Sequence, residues 1–280
     1  MTVRHYDWLG HHANFTPDKT VWVDLHSGRS FTYLQAEERC CRLAWHLQKN
    51  CDIAKGDRVG VLAMNSTDMM EIQSACAKIG AIFLPLNWRL TVHELDFIIK
   101  DAEPKVLIHD LAFADEAAAL KKSTTIEHFI ETTGGGGDTD FEAAIAGAET
   151  TPDLADLTQD DVWTVMYTSG TTGLPKGAMN TYGMGFYNAV NLGAPARITP
   201  DSVTLTILPL FHTGGLNCYT SVCLHTGGTS LIMRAFEPGE VLRLIGDADL
   251  GVTHFFGVPA NYLFMSQHPE FATPDFSRLV

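Results

Sequence analysis

Apolar residues along this chain fall into short runs of strand length, separated by stretches where they recur every three or four positions. Thr32 and Gln35 stand at capping-box spacing, so a helix is predicted to open there. Leu34, Cys41, Ala44 and Trp45 would share its apolar face. Lys55-Gly56-Asp57 reads as a turn, and Arg58 to Met64 as a buried strand. Ser66 is expected to cap the next helix, where Met69, Ile72, Cys76 and Ile79 recur at helical spacing and Gly80 ends the pattern. Ala81 to Leu86 is a strand. Thr91 and Glu94 form a second capping pair ahead of Leu95, Ile98 and Ile99, and Val106 to His109 is another strand. This alternation predicts an α/β protein, layered α/β/α, with mostly parallel sheets covered on both faces.

Residues 132–140 interrupt the rhythm with four consecutive glycines. The ordering cost of glycine predicts a flexible surface loop, and no strand is expected to lead directly into it. A short helix near Phe141 to Ala146 and an acidic connector from Glu149 to Asp161 follow. The alternation then resumes, with strands near Val162–Tyr167, Val203–Leu208, Ser230–Met233 and Thr253–Phe256.

Composition narrows the class. Of 280 residues, 45% are hydrophobic and 19% charged, which supports a sizeable core and excludes a disordered tail or a small disulfide scaffold. The net charge of −14 disfavours general binding to nucleic acid or an anionic membrane. The six cysteines include no C-x-x-C pair and read as reduced thiols. No apolar run approaches the roughly 18 residues that span a bilayer, and Met1 to Gly10 has no apolar signal core. The expectation is a cytoplasmic protein without a membrane span.

Chemistry concentrates in Tyr167-Thr168-Ser169-Gly170-Thr171-Thr172-Gly173-Leu174-Pro175-Lys176-Gly177, directly after the apolar run Val162 to Met166. Gly170, Gly173 and Gly177 permit backbone conformations that aim several N–H groups into one concavity. Thr168, Ser169, Thr171 and Thr172 add hydroxyls, Lys176 adds a positive charge, and the segment has no acidic residue. That composition suits a polyphosphate. It is not a Walker A loop, because Pro175 and Gly177 occupy positions where that pattern needs glycine and a hydroxyl residue. The competing reading is a Ser/Thr/Gly-rich hairpin turn.

The segment resembles the signature phosphate loop of the superfamily of acyl-CoA synthetases, nonribosomal peptide adenylation domains and firefly-type luciferases, Y-T-S-G-T-T-G-x-P-K-G. Other stretches resemble the same superfamily in the same order. They are Gly56-Asp57-Arg58-Val59 with Asn65-Ser66, then Gly80-Ala81 with Pro85-Leu86-Asn87, Arg89-Leu90 and Glu94-Leu95. Pro209-Leu210-Phe211-His212-Thr213-Gly214-Gly215 and Val258-Pro259-Ala260 complete the set. The resemblance implies a two-step reaction. A carboxylate attacks the α-phosphate of ATP to give an acyl-adenylate and pyrophosphate, and the sulfur of coenzyme A then displaces AMP. It implies that Thr168, Ser169, Gly170, Thr171, Thr172, Gly173 and Lys176 hold the phosphates, with Lys176 neutralising charge on the leaving pyrophosphate. It places His212 between the carboxylate and the α-phosphate. Phe211, His212, Thr213, Gly214, Phe256, Gly257 and Val258 become candidates to line the pocket of a fatty or aromatic acid. The competing readings are a satisfied core histidine for His212 and ordinary strand core for the others.

One departure stands out. Tyr182 occupies a position where many relatives carry a histidine, which bears on helix capping or the back wall of the pocket. The superfamily also carries later segments for adenine, ribose, Mg²⁺ and a C-terminal lid, and none is found here. The expectation is therefore that residues 1–280 are an incomplete N-terminal domain with its phosphate loop at 167–177. Such a chain is expected to have little ligase activity alone, and to self-associate as a homo-oligomer through exposed sheet edge and core surface. Two other readings stay open: an adenylation domain that loads a carrier protein, and a non-catalytic nucleotide-binding module.

Overall fold

The computed structural model describes residues 3–136, 139–168 and 173–280. Its strands form two sheets. The first runs, in spatial order, His128–Thr132, Val106–Asp110, Arg58–Leu62, Ile82–Pro85, Val162–Thr168 and Lys176–Thr181. All its neighbours are parallel except the last pair. The second runs His254–Phe255, Val203–Thr206, Thr229–Ile232, Thr20–Asp24 and Ser30–Thr32, again parallel except at the last pair.

Side-chain alternation along the strands divides the core into layers. Leu62, Leu84 and Leu107 pack outward against helices Val92–Ala102 and Ala114–Ser123. Val59, Val61, Phe83 and Ile108 point inward, sharing one core with Trp22 of the second sheet and with helices Tyr33–Asn50 and Thr67–Ile79. Leu205, Leu231 and Met233 cover the far face of the second sheet against helices Pro238–Gly246 and Pro259–Ser266. The expected α/β/α layering is present twice, around a shared central helical layer.

The central helix Thr67–Ile79 is buried on nearly every face, including Asp68, Glu71 and Lys78. Charges survive there only with partners. Arg29 binds Asp68 at 3.1 Å, Arg39 binds Glu71 at 2.7 Å, and Lys78 binds Glu37 at 2.7 Å and also Asp7. Ser66 precedes this helix but supplies no side-chain cap. Asp24, at the end of its strand in the second sheet, accepts the Thr67 N–H instead at 3.1 Å. One carboxylate thus stitches the second sheet to the central layer.

Both capping boxes form as expected, at Thr32/Gln35 and Thr91/Glu94. The apolar face of Tyr33–Asn50 differs from expectation. Tyr33, Ala36, Cys40, Leu43, Ala44 and Leu47 are buried, whereas Leu34 is 43% exposed and Cys41 and Trp45 are only partly covered. Two helical stripes are apolar in sequence, and packing against Thr67–Ile79 selects one. The glycine-rich segment also differs. Strand His128–Thr132 leads directly into it, an edge strand with only Ile130 and Thr132 buried and hence little apolar signal. Gly134 is buried, and a side chain there would collide with Arg234 Nη1 at 2.6 Å. The six cysteines are free thiols. Among the described residues no helix is long and apolar enough to cross a membrane.

Candidate active site

Parallel strands bring their carboxyl ends to one side, and in open α/β sheets ligands bind outside those ends. Here two sheets contribute. Ile82–Pro85 and Val162–Thr168 are neighbours in the first, and Val203–Thr206 lies in the second. A cleft of about 770 Å³ opens where the loops after these three strands converge. Leu86, Asn87 and Leu90 line it after the first strand, Tyr167 and Thr168 at the end of the second, and Phe211 and His212 after the third. Helix Val92–Ala102 supplies the remaining wall through His93, Phe97, Lys100 and Asp101.

Val162–Thr168 pairs with Lys176–Thr181 in antiparallel register, Thr168 opposite Lys176. The candidate phosphate segment therefore joins two strands of a hairpin and is followed by a strand rather than a helix. Lys176 stands exposed at the hairpin base. Gly173 adopts φ +98°, a conformation that disfavours side chains, and lines the cleft with Thr168. Ser169, Gly170, Thr171 and Thr172 lie outside the described residues. Gly177 has a different role from the one expected. It sits within the strand opposite Tyr167, and an added Cβ would lie 3.1 Å from that ring. The Tyr167 hydroxyl donates to Asp101, and burial together with this carboxylate raises the phenol's pKa, so it stays a donor.

His212 is exposed at the cleft, and Phe211 is buried beside it. Gly214 N–H donates to His212 Nδ1 at 3.1 Å. An amide can only donate, so Nδ1 keeps its lone pair and a neutral ring carries its proton on Nε2. That leaves an N–H donor free for an anionic ligand. Two further amides, Gly215 and Leu216, donate to the His212 carbonyl at 3.0 Å each, starting the π-helical turn Gly214–Thr220. The turn is tight enough that a Cβ on Gly215 would lie 2.2 Å from the Pro209 carbonyl oxygen. Thr213 reaches across to the other sheet, its hydroxyl 3.5 Å from Met166 Sδ. Arg89 lies over the Trp88 ring at 4.9 Å and over Phe211 at 5.8 Å.

The seven candidate pocket residues do not form one lining. Phe211 and His212 border the cleft. Gly214 and Phe256 border a nearly filled space beside Tyr219, whose ring packs 5.3 Å from that of Phe256. Gly257 and Val258 border neither; the Gly257 N–H meets the Tyr262 hydroxyl at 3.2 Å, and Val258 is exposed. Tyr182 is buried away from the cleft, stacked on Trp163, while Thr181 caps the helix Tyr182–Gly193. The Tyr219 contact and the cleft face of Val92–Ala102 were not singled out from sequence. In that helix only the core stripe Leu95, Ile98 and Ile99 announces itself, and the opposite face reads as ordinary solvated surface. Among the described residues no three His, Cys, Asp or Glu side chains are arranged to hold a metal ion.

Two sheets thus share a cleft, with the segment that ends in Lys176 on one side and a histidine loop on the other, an arrangement of the α/β class with its site at the strands' carboxyl ends. The AMP-binding enzyme family matches residues 9–280, and the chain belongs to that family. A feruloyl-CoA synthase from Amycolatopsis is 36% identical over 272 residues, covering 97% of this chain and 52% of that enzyme. An indoleacetate–CoA ligase from Aromatoleum aromaticum is 32% identical, covering 98% and 53% respectively. Among solved structures, ATP-bound MatB from Rhodopseudomonas palustris superposes with a TM-score of 0.83 at 30% identity, over 94% of this chain and 51% of that one. The chain spans about half the length of the relatives it matches.

Proposed function

We propose that this chain supplies the N-terminal part, phosphate hairpin and acid-binding loop included, of an AMP-forming carboxylic acid–CoA ligase. The observation that carries this reading is the meeting of Thr168 and Gly173 with Phe211 and His212 on one cleft, although they come from different sheets. Polyphosphate held at the hairpin would present its α-phosphate toward the histidine loop. The Nε2–H of His212 would donate to the acid carboxylate and hold it beside the α-phosphate for attack. Lys176, with Ser169, Thr171, Thr172 and the backbone near Gly170, would take up charge as pyrophosphate departs. Displacement of AMP by the thiolate of coenzyme A would complete the reaction. Mg²⁺ belongs to this proposal as a partner of ATP. Among the described residues no three His, Cys, Asp or Glu side chains are grouped to hold it, and no step here is routed through it.

An aromatic acid is the substrate class we favour over a fatty acid. Phe211 borders the cleft beside His212, Phe97 adds a second ring to its wall, and two relatives are named for feruloyl and indoleacetate substrates. We also propose that these 280 residues bind polyphosphate on their own but turn over slowly or not at all. The test is a panel of aromatic and medium-chain acids incubated with ATP and coenzyme A, using the longest chain that carries these residues, with products identified by mass. Aromatic acyl-CoA is the expected product. Thioester on an added carrier protein but not on coenzyme A would favour the adenylation-domain reading, and no adenylate with any acid would overturn the proposal.

A further inference from the structure

The loop that bears His212 is not held by its own sheet alone. Asn65 follows strand Arg58–Leu62 of the first sheet and is 4% exposed, yet its amide is committed entirely to the loops that follow two strands of the second sheet. Its Oδ1 accepts the Leu210 N–H at 2.8 Å. Its Nδ2 donates to the Leu208 carbonyl at 2.9 Å and to the Met233 carbonyl at 3.2 Å. All three partners are main-chain atoms, and three strong contacts fix which way the amide faces. Leu208 and Leu210 flank Pro209, whose carbonyl in turn accepts the His212 N–H at 3.1 Å.

Asn65 is itself held firmly. It directly precedes the Ser66 cap position of the fully packed helix Thr67–Ile79, whose first amide is bound by Asp24. One side chain thus ties the first sheet, which carries the phosphate hairpin, to the loop, which carries His212. Removing it would strand a buried amide and two buried carbonyls, and the loop would move to find other partners. Asn65 does not border the cleft, so it acts on a ligand only through the loop.

We infer that Asn65 is a positioning residue, clamping the Leu208–His212 loop so that His212 faces the phosphate hairpin at a fixed distance and in one tautomer. This rests on the proposed role of His212, and its test has an arm that needs no activity. In this chain, ¹⁵N-histidine NMR should show His212 as a single Nε2–H tautomer, with slow exchange of the Leu210 amide. In Asn65→Ala, Leu210 exchange should quicken at least about tenfold and His212 should lose its single tautomer, while core amides such as Val106 keep their protection. Asn65→Ser, which keeps a hydroxyl, should fall between the two and serves if the alanine variant does not fold. A lowered melting temperature with His212 unchanged would overturn the inference.

The second arm is acid-dependent ATP–pyrophosphate exchange in the longest chain that carries these residues. Asn65→Ala should raise the KM for acid about tenfold more than the KM for ATP. It should cost nothing further in a His212→Ala background, because one effect runs through the other. Equal rises in both KM values, or multiplying losses in the double variant, would overturn it. A wild-type protein without acid-dependent exchange would instead contradict the proposed function, and the NMR arm would then decide the case of Asn65.

Discussion

Single residues decide what the cleft can hold. Lys176 is an exposed cation at the base of the hairpin, in a chain that carries a net charge of −14. A charge-assisted hydrogen bond contributes about 1.5–3 kcal/mol, so Lys176→Ala should weaken pyrophosphate binding roughly 10- to 100-fold by calorimetry. An unchanged Kd would remove its assigned role. Gly215 acts through the space it leaves open. An alanine Cβ there would press on the Pro209 carbonyl at 2.2 Å, forcing the His212 turn outward. We expect Gly215→Ala to cost about 1–3 kcal/mol in urea denaturation, and a midpoint equal to wild type would show the turn to be looser than it looks. At this scale the motif was legible because hydroxyl, glycine and lysine chemistry is written in residue types. The partners of each residue were not. Gly177 reads as a loop glycine and proves to be a strand residue under Tyr167. Asn65 is an ordinary polar residue until the Leu208–Leu210 backbone is placed against it.

Elements were legible where their own sequence settles them. The boxes at Thr32 and Thr91 are local, and both form. The edge strand His128–Thr132 was missed because half-covered strands carry weak alternation, and the stripe of Tyr33–Asn50 was misplaced because a neighbouring helix selects it. The N-terminal segment shows how such contacts respond to conditions. The His5 ring lies tilted against Tyr182 with centroids 4.3 Å apart, and Trp8 packs edge-on against Trp163 and His225. Burial lowers the His5 pKa to about 4, and it lowers those of His12 and His225 too. The unfolded chain, with histidines near 6.5, binds more protons than the folded one between these values. Stability from this segment is therefore complete above pH 6.5 and is lost as the pH falls through 4. The melting temperature should drop across that window, and His5→Phe, which keeps a ring on Tyr182, should flatten the drop. An identical pH profile in the two proteins would show that His5 is not the titrating group.

The described residues form two mostly parallel sheets around a shared helical layer, with a cleft at their common carboxyl ends. Alternating periodicity foretold mostly parallel sheets, because that signal lies in each segment. It could not tell that there are two sheets, or which strand joins which. That depends on contacts such as Asp24 to Thr67 and Asn65 to Leu210, which link residues far apart in the chain. The central claim is that this cleft brings a carboxylic acid to the α-phosphate of ATP. Isotope exchange between pyrophosphate and ATP tests it most directly, measured on the longest chain that carries these residues, with and without an aromatic acid. The account predicts exchange that requires the acid, releases AMP rather than ADP when coenzyme A is added, and is lost in Lys176→Ala. Exchange without acid, or cleavage to ADP and phosphate, would contradict it.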